Sequence, residues 1–150
     1  MGVVDPRPAH RQPLLVLLVA STGALGALSR AGLGELWPPV AGWPMATLAA
    51  NLTGALALGL VLEACSRFGP THRVAVRVRL AVGTGFLGGY TTFSALALET
   101  ERLLASGAIG QAVGYVLGTM LGGVMLAWLG IRLGRMLPLR APGDVSEGPR

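Results

Sequence analysis

The sequence predicts an all-α membrane protein of four transmembrane helices, the third of them broken at mid-membrane. Three observations predict it. Charged residues make up only 13% of the 150-residue chain, against about 25% in an ordinary soluble domain. Four uncharged runs near bilayer-crossing length divide the chain. The third run, Leu80–Leu98, reads LAVGTGFLGGYTTFSALAL, with Gly83, Gly85, Gly88 and Gly89 crowded ahead of Thr91, Thr92, Phe93 and Ser94. Irregular backbone at membrane depth survives only where it is buried in protein or lines a wet cavity. This run is therefore the candidate functional site, and its glycines are expected to open the helix.

The elements follow in order. Met1–Pro13, with two Arg, one His and three Pro, reads as a flexible tail. Leu14 starts a run without charge until Arg30; it continues through Gly23, Gly26 and Ala27 with no clear cleavage site, so it reads as a first span rather than a signal peptide. Trp37, Pro38, Pro39, Trp43 and Pro44 form an interfacial loop, since Pro ends helices and Trp favours the headgroup level. Met45–Leu62 is a second span of roughly 27 Å as a helix. Arg67–Arg79, with Gly69-Pro70, reads as a basic loop. Glu99, Glu101 and Arg102 mark the exit of the third span, and Ser106-Gly107 a turn. Ile109–Ile131 is the fourth span. Residues 14–135 thus form one four-helix transmembrane domain, and 136–150 a disordered polar tail.

Charge sets the orientation and excludes some partners. All twelve basic residues are Arg, and ten of them fall on the N-terminal tail, the loop between spans two and three, and the C-terminal tail. Only Arg30 and Arg102 fall on the other side. By the positive-inside rule both termini are cytoplasmic, in a multi-pass protein of the plasma membrane. No basic face with interleaved aromatics suggests nucleic acid. Cys65 is the single cysteine, so no internal disulfide forms. His10 and His72 lack the companions of a transition-metal site, and Ser94 has no His partner for nucleophilic catalysis. The chain therefore reads as no enzyme. Gly83-Thr84-Gly85-Phe86-Leu87-Gly88 spells GxGxxG, but without the strand–turn–helix frame that a dinucleotide site requires.

Polar groups recur at membrane depth. Thr47 and Asn51 share one face of span two, and Tyr115 and Thr119 one face of span four. Glu63 and Glu99 are expected at span ends, leaving hydroxyl and amide donors without an embedded carboxylate. Such donors can replace the water of a small anion, and an aromatic ring such as Phe93 offers a positive edge. Carbonyls freed by an unwound helix suit Na⁺. Glycines at 110, 114, 118 and 122 line one face of span four and admit a close neighbour, inside the chain or from another subunit.

These residues resemble the small bacterial fluoride channels (Fluc/CrcB type). Gly88-Gly89-Tyr90-Thr91-Thr92-Phe93-Ser94, with Glu99 beyond, is similar to the family's GG-x-TTFST-F-x-x-E signature. Gly23–Arg30 resembles its first-helix pattern G-x-x-GA-x-x-R, and Thr47–Gly54 its second-helix pattern TL-x-x-N-x-x-G. The resemblance implies a passive fluoride channel that lowers fluoride toxicity, built as an antiparallel, dual-topology dimer in the lipid bilayer. It implies pores lined by Asn51, Phe93, Thr47 and Thr119, with Thr92, Ser94 and Tyr115 beside them and Arg30 and Glu99 as structural polar residues. It further implies a structural, untransported Na⁺ on the dimer axis, held by the backbone carbonyls of Gly88 and Thr91 from both chains. Two departures stand out: the family's second pore phenylalanine falls at Leu96, and Ala95 replaces a hydroxyl residue. With the one-sided Arg distribution, they point to a heterodimer with a homologous subunit of opposite orientation, a homodimer being the alternative. The rival readings are a four-helix multidrug or cation exporter, which needs a titratable carboxylate at mid-depth, and a non-transporting scaffold, which has no use for a broken helix.

Overall fold

A computed structural model describes residues 11–68 and 72–138. The tail readings for residues 1–10 and 139–150, and the turn at Gly69-Pro70, lie outside them. All regular structure among the described residues is helical: α1 (Pro13–Leu36), α2 (Met45–Ser66), α3 (Arg73–Val78), a π-helical segment (Arg79–Leu87), α4 (Gly88–Tyr90), α5 (Phe93–Ala105) and α6 (Ile109–Met136). Three of these, α1, α2 and α6, are long and apolar enough to cross a membrane. The third expected span is assembled from pieces, from α3 through α5.

Two seams hold the bundle together, and both are built on missing side chains. Where α1 crosses the third span, a methyl group on Gly26 would overlap the Phe86 carbonyl, and one on Gly89 would overlap the Gly23 carbonyl. Where α2 crosses α6, a methyl on Gly59 would strike the Ala127 carbonyl and one on Gly130 the Leu56 carbonyl. Backbones meet directly at these points. Lipid tails remove the usual apolar drive for helix association, so such close contact supplies the attraction instead.

Several sequence expectations shift. The basic stretch Arg67–Arg79 is not all loop: helix resumes at Arg73, with the His72 ring nitrogen Nδ1 accepting from the Ala75 amide at 3.3 Å as its cap. The glycine stripe at 110, 114, 118 and 122 is only lightly used within the chain. Gly110 and Gly118 face open space, Gly114 meets the Trp43 ring and Gly122 the Leu52 side chain. The close approach on α6 comes lower, at Gly130, while Gly134 abuts Glu63. The interfacial loop closes as a tight turn, with Ala41 and Gly42 at positive φ and Val40 paired to Trp43 across it. The Gln111 side chain donates to the Ala41 carbonyl and ties this turn to α6.

Candidate functional site

The helix of the third span breaks at Thr91-Thr92, not among the glycines. Gly83 to Gly89 stay helical, in wide π turns and then α4. Thr91 (φ −81°, ψ 155°) and Thr92 (φ −151°, ψ 128°) are extended. In lipid the glycines serve helix contact, as at Gly89, and the β-branched threonines take the extended backbone they favour. Thr92 is also the N-cap of α5, its hydroxyl accepting from the Ala95 amide at 3.2 Å.

The break is held by neighbouring side chains. Asn51 of α2 grips Thr92 twice: its Oδ1 accepts from the Thr92 amide at 2.8 Å, and its Nδ2 donates to the Thr92 carbonyl at 3.0 Å. On the other flank, Arg30 of α1 donates through Nε to the Gly89 carbonyl at 3.4 Å. The Thr91 amide and hydroxyl both turn back to the Leu87 carbonyl, each at 2.9 Å. An unpaired main-chain group in hydrocarbon costs several kcal/mol. A break at this depth therefore needs such partners.

The carbonyls that lose helical partners at this break include the pair expected to hold Na⁺. In a continuous helix the Gly88 carbonyl would receive the Thr92 amide, and the Thr91 carbonyl the Ala95 amide. Both amides go to side-chain oxygens instead, of Asn51 and Thr92 respectively. Neutral oxygens at a helix end fit a hard monovalent cation. Among the described residues no cluster of His, Cys, Asp or Glu offers a different metal chemistry.

Beside the break runs an open groove of about 490 Å³. Asn51, Gly88, Thr91, Thr92, Phe93 and Thr119 line it, together with Leu96. The structure thus brings together most of the expected pore residues. Phe93 lies on the surface with 72% of its area exposed. Ser94 is outside the groove wall; its hydroxyl shares a 3.2 Å hydrogen bond with that of Thr92. Thr119 is buried, its hydroxyl donating to the Tyr115 carbonyl of its own helix at 2.7 Å. Leu96, in the place of the second aromatic, is 3% exposed and packs with Leu103, Ala112 and Tyr115 while touching the groove edge.

Thr47 and Tyr115 belong to a separate cluster. Thr47 donates to Glu99 Oε1 at 2.8 Å, and the Tyr115 hydroxyl donates to Glu99 Oε2. Both partners lie near helix starts, Thr47 as the third residue of α2 and Tyr115 as the seventh of α6. Glu99 is drawn in between α2 and α6, because two hydroxyls replace the water it would otherwise need. The distances in sequence, 52 and 16 residues, hid this cluster from local pattern. Its one available signal was the repeat of hydroxyl residues facing the exit of the third span.

Three helices of membrane-crossing length, joined by small-residue seams, define a helical membrane protein, with an interrupted helix beside a polar groove. The sequence profile described as CrcB-like protein, Camphor Resistance (CrcB), matches residues 17–131. The chain belongs to the CrcB family. It is 43% identical over 120 residues to fluoride-specific ion channel FluC 1 of Cutibacterium acnes, covering 79% of this chain and 84% of that one. It is 45% identical over 116 residues to fluoride-specific ion channel FluC 2 of Moorella thermoacetica (76% and 91% covered). Against fluoride-specific ion channel FluC of Thermus thermophilus it is 44% identical over 123 residues (81% and 95%).

Proposed function

We propose that the chain is a subunit of a fluoride-selective channel, through which cytoplasmic fluoride leaves passively. The observation that carries this is the break at Thr91-Thr92, pinned by Asn51 beside a groove holding Phe93 and Thr119. The names of the relatives support the same reading. Fluoride holds its water tightly and needs donors or positive edges to replace it. Phe93 offers a ring edge. The start of α5 offers the positive end of a helix dipole. Of the Thr92 and Ser94 hydroxyls, which share one hydrogen bond, the one not donating in it can turn its proton towards an anion. Thr47 and Tyr115 stand behind them, fixed by Glu99. A membrane potential negative inside drives the anion outward by about 2.3 kcal/mol per 100 mV.

In this reading the pieces from α3 to α5 act together as a fourth span beside α1, α2 and α6. A second subunit, inverted in the bilayer, covers the exposed Phe93 and closes the groove. Na⁺ sits between the subunits on the Gly88 and Thr91 carbonyls of each, and holds them together without being transported. Both termini face the cytoplasm, as the Arg distribution favours. That one-sided distribution, with Leu96 in the second aromatic place, favours a homologous partner of opposite orientation over a second copy. Fluoride efflux from liposomes tests both levels. Efflux from the chain alone supports a homodimer. Efflux only after co-reconstitution with an inverted homologue supports the heterodimer. Absence of efflux in both cases rejects the channel.

A further inference from the structure

We propose that the C-terminal end of α6 binds an anionic phospholipid, with Arg132 taking the phosphodiester and an apolar groove below it taking an acyl chain. Two features of α6 meet there. The guanidinium of Arg132 lies over the Trp128 ring, 4.6 Å from its centroid. Stacking uses the face of the guanidinium and leaves its N–H donors, which lie in its plane, pointing outward. Among the described residues no carboxylate or carbonyl receives them. The acid nearby on α2, Glu63, is paired with Arg135 at 3.3 Å. Arg67 is spent on the last carbonyls of α6, those of Arg135 and Leu137.

The second feature is a surface groove of about 510 Å³ lined by Val124, Met125, Leu126, Trp128 and Leu129. These residues precede Arg132 by three to eight positions, or roughly 5–12 Å along the helix axis. The order along α6 is therefore apolar groove, Trp, Arg. α6 is 28 residues long and apolar enough to cross a membrane, and a hydrocarbon core takes some twenty helical residues, so Arg132, the fifth residue from its end, lies in the last turns of the helix. Val124 and Met125 are about 70% exposed and Trp128 57%, uncovered by the other described residues. Trp belongs at the headgroup level, and a guanidinium there recognises phosphate by paired hydrogen bonds. The charge selects an anionic lipid over a zwitterionic one, since α6 offers no acid to a choline.

Native mass spectrometry of the purified protein in neutral detergent, with phosphatidylglycerol or phosphatidylcholine added, tests this. The wild type is expected to retain phosphatidylglycerol preferentially. Arg132→Gln should lower that retention about fivefold, the worth of one Arg near an anionic surface, with the lipid-free melting temperature unchanged. Arg132→Lys should fall between, and Arg77→Gln on α3 should match wild type. Equal retention of the two lipids, undiminished retention by Arg132→Gln, or displacement of the lipid by inorganic phosphate would overturn the proposal. So would loss of a dimer, rather than of lipid, in Arg132→Gln, because a second copy would then be what covers the groove.

Discussion

Thr47 and Asn51 stand one turn apart on the same face of α2, yet they finish in opposite settings. Thr47 reaches a side chain. With Tyr115 it satisfies a half-buried Glu99, and Tyr115 itself is fully buried. Asn51 reaches main chain. It holds both polar groups of Thr92, and in doing so leaves an open groove, carbonyls without helical partners and an exposed aromatic ring. The first arrangement spends its polar groups on each other and so fixes α2, α5 and α6. The second satisfies one residue and exposes its neighbours to a ligand. Under the proposed function the first serves stability and the second transport, and the contrast can be broken from either side.

The largest effect is expected at Asn51. Alanine there strips both partners from Thr92, and each buried group left unpaired costs about 1–3 kcal/mol. Fluoride efflux should fall to background and the melting temperature should drop. Asn51→Asp keeps the acceptor for the Thr92 amide but sets a negative charge against its carbonyl and in an anion path. Efflux should vanish there too, and undiminished flux would remove Asn51 from the route. Phe93→Ile comes next. The ring is on the surface, so stability should move by no more than about 0.5 kcal/mol, while efflux falls at least tenfold by the loss of the ring edge.

Tyr115→Phe should reverse that pattern. It removes a hydrogen bond to a charged group, worth about 1.5–3 kcal/mol, so melting shifts while flux per folded channel holds within about twofold. A flux loss beyond that would move Tyr115 from the Glu99 cluster to the pore. The smallest effect is expected from Thr119→Val, whose hydroxyl already bonds its own helix. Its stability change should be below about 0.5 kcal/mol and its flux change about twofold, read from the same liposome assay.

Much of this was legible in the sequence, for identifiable reasons. Long uncharged runs and flanking Arg located the helices, because bilayer thickness fixes their length. The Thr91-Thr92 pair and Asn51 were visible as polar groups that hydrocarbon would otherwise expel. What misled was glycine. In water, clustered glycines loosen a helix; here Gly26, Gly59, Gly89 and Gly130 let backbones touch, so the helix persists through them. The actual break was marked by Thr92, an N-cap residue three positions before Ala95. The Glu99 cluster was not legible, since its partners come from helices far apart in sequence and neither spacing nor composition pairs them.

The π-helical segment Arg79–Leu87 carries a consequence for how this span tolerates change in length. Arg73 to Ala105 is 33 residues, about 50 Å if it were one α-helix, well beyond a hydrocarbon core of about 30 Å. Wide turns take up residues that an α-helix would have to add to its length. One residue could therefore be removed from this segment and the turn would tighten to α geometry, with no hydrogen bond lost. The ends of the span would hardly move. Everything beyond would keep close to its present facing, since a π turn holds about one residue more than an α turn, and Phe93 would stay beside the groove. At this place the chain can absorb a deletion, so a one-residue deletion within Arg79–Leu87 should leave flux and folding closer to wild type than the same deletion within α5.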